Sequence, residues 1–137
     1  MVPSYRGDLP YVYLCYSHSD GEELSYYLYY LVKDGVRVSF EPSMRAGAVA
    51  VMVILSKASL RDPAILSELQ SSQADYENLI LVHLDGSELS EADQKQFEKA
   101  THLYLNELPP SFVTGALEST LPPEVFPGPP KPVSRGN

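Results

Sequence analysis

The chain has 137 residues, which suits one domain with a single hydrophobic core. Ten lysine and arginine residues against eighteen acidic residues give a net charge of −8, which argues against nucleic acid as a partner because the phosphate backbone selects basic surfaces. No apolar run reaches the about 20 residues that cross a bilayer, and the single cysteine cannot form an internal disulfide, so we expect a soluble cytoplasmic protein with no membrane partner.

The first half of the chain predicts three strands and one helix. Residues 10–16 are apolar on both faces, as in a buried strand, and residues 20–33 carry leucines and tyrosines at helical spacing before a capping glycine. Residues 36–40 alternate like a short edge strand, whereas residues 48–55 are continuously apolar, which is typical of a central strand. Only residues 41–47 connect these two strands.

The second half predicts two more strands between helices. The expected elements are a helix capped by Asp62 with Pro63 in its first turn, a strand at 79–84, a polar helix at 90–99, a strand at 102–105 and a weak helix at 110–119. Prolines and glycines dominate from Leu121 onward and deny the backbone regular hydrogen bonding. We therefore divide the chain into an N-terminal extension (1–8), one domain (9–120) and a proline-rich disordered tail (121–137).

This order of elements predicts an α/β protein. A mostly parallel five-stranded sheet between two layers of helices, with the flavodoxin-like order 2-1-3-4-5, is its simplest arrangement. Ligands of such sheets bind at the carboxyl ends of the strands beside the switch point, here between the first and third strands. The loop at 17–20 and the segment after Ser56 lie at that point.

Five short motifs resemble, in order, those of Toll/interleukin-1 receptor (TIR) domains of the bacterial type. They are residues 11–20 (YVYLCYSHSD), 35–40 (GVRVSF), 51–60 (VMVILSKASL), 62–69 (DPAILSEL) and 84–90 (LDGSELS). The resemblance covers residues 9–108. It departs from the family in two places. Residues 41–47 leave room for a loop but no helix, and they barely permit a return over the first strand. Ala64 stands where the family usually has tryptophan.

The resemblance implies cleavage of NAD⁺ between nicotinamide and ribose, with Glu68 as the catalytic carboxylate. A carboxylate that contacts the ribose hydroxyls would stabilise the positive charge that develops on the sugar, so neither a metal nor a bound cofactor is required. Ser17 and Asp20 would line the end of the first strand. Phe40 would stack on a base, and Arg45 would meet the pyrophosphate.

Two functions stay open at this stage. The resemblance also implies a signalling module that assembles with other TIR-like domains as a homo-oligomer, either with the NAD⁺ hydrolase activity or as a catalytically inactive adaptor. A glutamate on an amphipathic helix is more often simply solvated. Loss of a crossover helix would expose apolar strand residues unless a partner, the tail or the helix at 110–119 covers them, and this favours self-association.

The remaining candidates carry less chemistry. The three histidines, His18, His83 and His102, are far apart and lack partners at ligand spacing, so we expect no metal site. Cys15 lies inside a strand, where a thiol is a poor nucleophile. The tyrosines at 26–30 either mark a partner surface or are half-buried core residues. A phospho-acceptor site would need clustered acids, and Asp20 has no acidic neighbour before Glu22.

Overall fold

The computed structural model describes residues 4–72 and 78–126. Five parallel strands form one sheet in the order β2-β1-β3-β4-β5, which confirms the predicted α/β, flavodoxin-like architecture. The strands are β1 (Val12–Cys15), β2 (Val38–Ser39), β3 (Ala50–Leu55), β4 (Leu79–His83) and β5 (Thr101–Tyr104). All five predicted strands are present; the first four are somewhat shorter than predicted, and β5 begins and ends one residue earlier.

In residues 4–72 and 78–126, four α-helices flank the sheet: α1 (Gly21–Lys33), α2 (Pro63–Ser72), α3 (Glu91–Gln96) and α4 (Pro110–Thr120). Their ends follow local chemistry. Gly35, at a φ of 93°, ends α1, since a left-handed backbone favours glycine. The Asp62 carboxylate accepts a hydrogen bond from the Ala64 N–H at the start of α2, and the Ser90 hydroxyl accepts one from the Asp93 N–H at the start of α3.

The strands bury both of their faces. Successive side chains of a strand alternate between the two faces, so the sheet separates two cores. The α1-side core includes Leu24, Leu28, Leu31, Val113 and Leu117 from the helices and Met52, Ile54, Ile80 and Val82 from the strands. The α2-side core includes Ile65, Leu69 and Phe97 together with Val53, Leu55, Leu79 and Leu81.

The short connection between β2 and β3 forms a 3₁₀-helix, Pro42–Gly47, and this corrects our expectation that a loop could barely make the return. Six residues at about 2 Å each span roughly 12 Å, which is close to the length of a four-residue strand such as β1. The Tyr11 hydroxyl donates to the Met44 carbonyl oxygen at 2.6 Å and fastens the segment over β1. We call this segment the 3₁₀ crossover.

The apolar strand residues are therefore covered within the chain. Tyr13, Cys15 and Val51 in the α2-side core are each at most 8% exposed, and all of β3 is buried. On the opposite side, α4 packs beside α1 in the core. One of the coverings that we named as alternatives to a partner, the helix at 110–119, thus occurs in the structure as α4.

The chain on both sides of the predicted domain also packs against it. Residues 121–126, which we expected to be extended or disordered, include a 3₁₀ turn, Pro123–Val125, and bury Leu121 and Val125 in the α1-side core. The Tyr5 N–H donates to the Val38 carbonyl oxygen, so the predicted N-terminal extension runs beside β2. The rest of the predicted tail, residues 127–137, lies outside the described residues. In the part of the chain that is described, no helix has the length and apolarity to span a membrane.

Candidate functional site

The carboxyl ends of β1 and β3 meet at a network of polar side chains. The Ser56 hydroxyl donates to Asp20 Oδ2 at 2.5 Å, linking the end of β3 to the start of α1. Ser59 donates to the Ser56 carbonyl oxygen, and the Ser56 N–H donates to the Ser59 hydroxyl. Ser17 is 5% exposed, and its carbonyl oxygen accepts from the Asp20 N–H. Ser17 and Asp20 thus lie at the predicted switch point, and Asp20 helps to fix its geometry.

Glu68 and Arg45 form an ion pair. Arg45 Nε donates to Glu68 Oε2 at 2.9 Å, which joins the 3₁₀ crossover to α2. The two side chains are 33% and 15% exposed, so the pair is partly shielded and stronger than a fully solvated one. Two of the residues predicted for the site, 23 positions apart in the chain, are therefore brought together.

Phe40 lies in a different environment from this pair. Its ring packs edge-on against Tyr16, with ring centroids 6.3 Å apart, and both rings contact the α1-side core. Glu68 is on α2, which packs on the other side of the sheet. The structure therefore does not bring Phe40 to the Glu68–Arg45 pair, and stacking of a base on Phe40 beside that pair would need a rearrangement.

Cys15 ends β1 close to the charge of Glu68. Burial, and then the negative charges of Glu68 and Asp62, raise the pKa of the Cys15 thiol to about 12, although Arg45 opposes the shift. The thiol is buried and stays protonated near neutral pH, which agrees with our view of Cys15 as a poor nucleophile. The same environment raises the pKa of Tyr13, mainly through burial and then through Cys15 and Glu68.

A histidine pair joins β4 and β5, and no local pattern in the sequence predicts it. His83 Nε2 and His102 Nδ1 are 2.9 Å apart, and the two rings stack with centroids at 5.2 Å. Parallel register places Leu81 beside His102 and His83 beside Tyr104, so the side chains share one face of the sheet. Only a correct strand register could have revealed this proximity, because 18 residues separate the two histidines.

Metal binding has no support in the described residues. Within residues 4–72 and 78–126, no three histidine, cysteine, aspartate or glutamate side chains are grouped so that they could hold a metal ion. Asp20, Glu68 and His102 each bond to protein groups instead.

Comparison with known proteins adds no family assignment. No protein-family model matches the chain, and a comparison with curated proteins finds no significant match. The resemblance to TIR domains therefore rests on the motifs in the sequence and is compatible with the observed strand order, which many unrelated α/β proteins share.

Proposed function

We propose that this chain is a TIR-like module that hydrolyses NAD⁺ at Glu68. The observation that carries the proposal is the Glu68–Arg45 pair, which joins a carboxylate and a guanidinium at 2.9 Å beside the end of β1. The reaction would break the bond between the ribose C1′ and the nicotinamide nitrogen, and the bonding electrons would leave with neutral nicotinamide. Water would then add to C1′ and release a proton, giving ADP-ribose.

The two side chains suit different parts of this substrate. A carboxylate can accept hydrogen bonds from the ribose hydroxyls and stabilise the positive charge that develops on the sugar. A guanidinium can contact the pyrophosphate through its planar set of N–H groups. Because Arg45 now bonds to Glu68, substrate binding would have to draw the guanidinium from the carboxylate toward the phosphates. The pair would thus hold Glu68 in place until substrate arrives.

A second candidate function is that of an inactive association module. Three tyrosines of α1 are exposed, Tyr26 by 61%, Tyr29 by 54% and Tyr30 by 37%, and the Tyr30 ring contacts each of the other two edge to face. Tyr27, in contrast, packs against the α1-side core. Clustered exposed aromatic rings are typical of protein interaction surfaces. We take a second copy of the chain as the partner, which keeps the homo-oligomer that we expected from the sequence.

The test is nicotinamide release from NAD⁺ by the purified full chain at high protein concentration, with light scattering on the same samples. We expect turnover in the wild type and a loss of at least about 100-fold in both Glu68→Ala and Glu68→Gln, as for removal of one stabilising group from a transition state. Arg45→Met is expected to raise KM more than it lowers kcat. Circular dichroism should show that each variant is folded.

Glu23→Gln is the matched control, because Glu23 is an exposed helical glutamate of α1 away from the pair. Turnover that survives in Glu68→Gln would assign the activity to other residues and refute the proposal. Absence of turnover in the wild type, together with a rise in molar mass with concentration, would favour the association module. In that case Tyr26→Glu with Tyr29→Glu should return the protein to a monomer.

A further inference from the structure

A cavity lies toward the β5 edge of the sheet, away from the Glu68–Arg45 pair. This cavity of about 420 Å³ opens at the carboxyl ends of β4 and β5, between the loop that follows β4, helix α3 and the turn that follows β5. This volume is within the range of sites that bind small molecules. Neither Glu68 nor Arg45 lines the cavity, so its function is independent of the NAD⁺ hydrolase proposal.

The charge of the cavity has one sign. Four carboxylates line it, those of Asp85, Glu88, Glu98 and Glu107, and among the described residues no lysine or arginine does. Burial by itself would raise the pKa of Asp85, but hydrogen bonds from the N–H groups of Lys57 and Ser87 and from the Ser87 side chain, together with the charge of Lys57, outweigh burial and lower it below its usual value. Asp85 is therefore ionised at neutral pH, and the lining attracts cations.

The histidine pair presents a hydrogen-bond acceptor at this cavity. The Phe97 carbonyl oxygen accepts a hydrogen bond from His102 Nε2–H at 2.9 Å, and one tautomer of the pair has His102 Nδ1 accepting from His83 Nε2–H. His83 Nδ1 is then left with a lone pair, and within the described residues no group donates to it. His83 is only 6% exposed yet lines the cavity. Burial, and then His102, lower the pKa of His83 to about 4, so the ring is neutral at physiological pH.

An aromatic surface completes the lining. The Tyr104 ring lies parallel to His83, with centroids 4.2 Å apart and an interplanar angle of 14°. Tyr104 is 43% exposed and also lines the cavity, so part of its ring is available to a ligand. Cations bind favourably to such rings, and a planar guanidinium also stacks on them.

We propose that this cavity binds a small organic cation with N–H donors, of the amine or guanidinium type. The carboxylates would supply the charge, His83 Nδ1 would accept one N–H group, and Tyr104 would support the flat face of the cation. A metal ion fits less well, because the described residues offer no set of three ligands in position. Anions and neutral molecules of the same shape would lack the electrostatic attraction.

The test compares n-butylguanidinium with n-butylurea, its neutral counterpart of nearly the same shape. Each is titrated into the full chain labelled with nitrogen-15, while the ring resonances of His83 and His102 are followed by NMR. We expect saturable shifts with butylguanidinium, largest at His83 Nδ1, and binding that weakens as salt is added. Butylurea should bind at least about tenfold more weakly, since the charge-assisted bonds are lost.

Three variants locate the binding site. Glu88→Gln and Glu107→Gln remove charge at exposed positions without changing size, and each should raise the Kd roughly two- to fivefold, as for partly solvated ion pairs. Glu91→Gln, on α3 but outside the lining, should leave the Kd unchanged. Equal affinity for butylurea, equal effects of all three substitutions, or no shift with millimolar butylguanidinium would each overturn the proposal.

Discussion

Two acidic side chains meet where α1 ends and α4 passes it. A side-chain hydrogen bond with Asp34 raises the pKa of Glu118 from 4.5 to about 7, and burial and the negative charge of Asp34 add to the shift. Glu118 Oε2 is sealed from solvent and has no hydrogen-bond donor among the described residues. A proton on Glu118 would let the two carboxyl groups share a hydrogen bond, whereas two carboxylates repel each other. The folded chain therefore binds this proton more tightly than the unfolded chain does.

This contact predicts a pH-dependent stability. A group whose pKa is raised on folding contributes full stability below its unfolded value, and the contribution is lost as pH rises from about 4.5 through 7. Glu118→Gln keeps a donor for Asp34 without a charge, so we expect it to stabilise the protein by about 1 kcal/mol at pH 8 and much less at pH 5. Urea unfolding at the two pH values measures this.

Ser119→Ala, one position along on the exposed side of α4, is the control and should show no such pH dependence. An equal gain for Glu118→Gln at pH 5 and pH 8 would show that the proton on Glu118 does not contribute.

At the level of elements, the 3₁₀ crossover depends on one close approach. A Cβ atom on Gly47 would lie 2.7 Å from the Tyr11 hydroxyl oxygen, the same oxygen that bonds to Met44. We expect Gly47→Ala to cost about 1 to 3 kcal/mol in free energy of unfolding, because the tyrosine must move and its hydrogen bond breaks. Thermal or urea unfolding gives the value.

Tyr11→Phe tests the mechanism in a double-mutant cycle, since it removes the hydroxyl group that collides. The cost of the double variant should fall below the sum of the two single costs. Gly115→Ala is the matched control: nothing lies within 4 Å of a Cβ there, so a helical alanine should stabilise α4 by about 0.5 to 1 kcal/mol. Additive costs for Gly47→Ala and Tyr11→Phe would contradict the close approach as the cause.

An element could be predicted from the sequence where local interactions form it, and could not where contacts between distant residues form it. Strand runs, helix periodicity and the caps at Asp62 and Ser90 are local, and the structure has them where the sequence predicted them. The 3₁₀ crossover and the His83–His102 pair depend on contacts between residues far apart in the chain, so no local sequence pattern predicts them. The Glu68–Arg45 pair lies between these cases: each residue was predicted for the site, but their direct bond was not.

At the level of the whole molecule, residues 121–126 cover part of the α1-side core. Arg37, which immediately precedes β2, donates from its backbone N–H to the Val125 carbonyl oxygen and from Nη2 to the Glu124 and Phe126 carbonyl oxygens. Leu121 and Val125 are 7% and 0% exposed in the α1-side core. These contacts hold residues 121–126 against the rest of the domain. The domain boundary that we predicted at residue 120 therefore excludes residues that pack in the core.

Truncation tests whether this segment is part of the folding unit. A chain that ends at Thr120 loses two buried aliphatic side chains and the bonds to Arg37, so we expect a loss of about 2 to 5 kcal/mol in free energy of unfolding. A chain that ends at Phe126 keeps all of these contacts and is the matched reference. Urea unfolding of the two truncated chains, compared with the full chain, gives both differences. If the chains that end at Thr120 and Phe126 were equally stable, residues 121–126 would not contribute to the core, and the α1-side face would be closed by α4 alone.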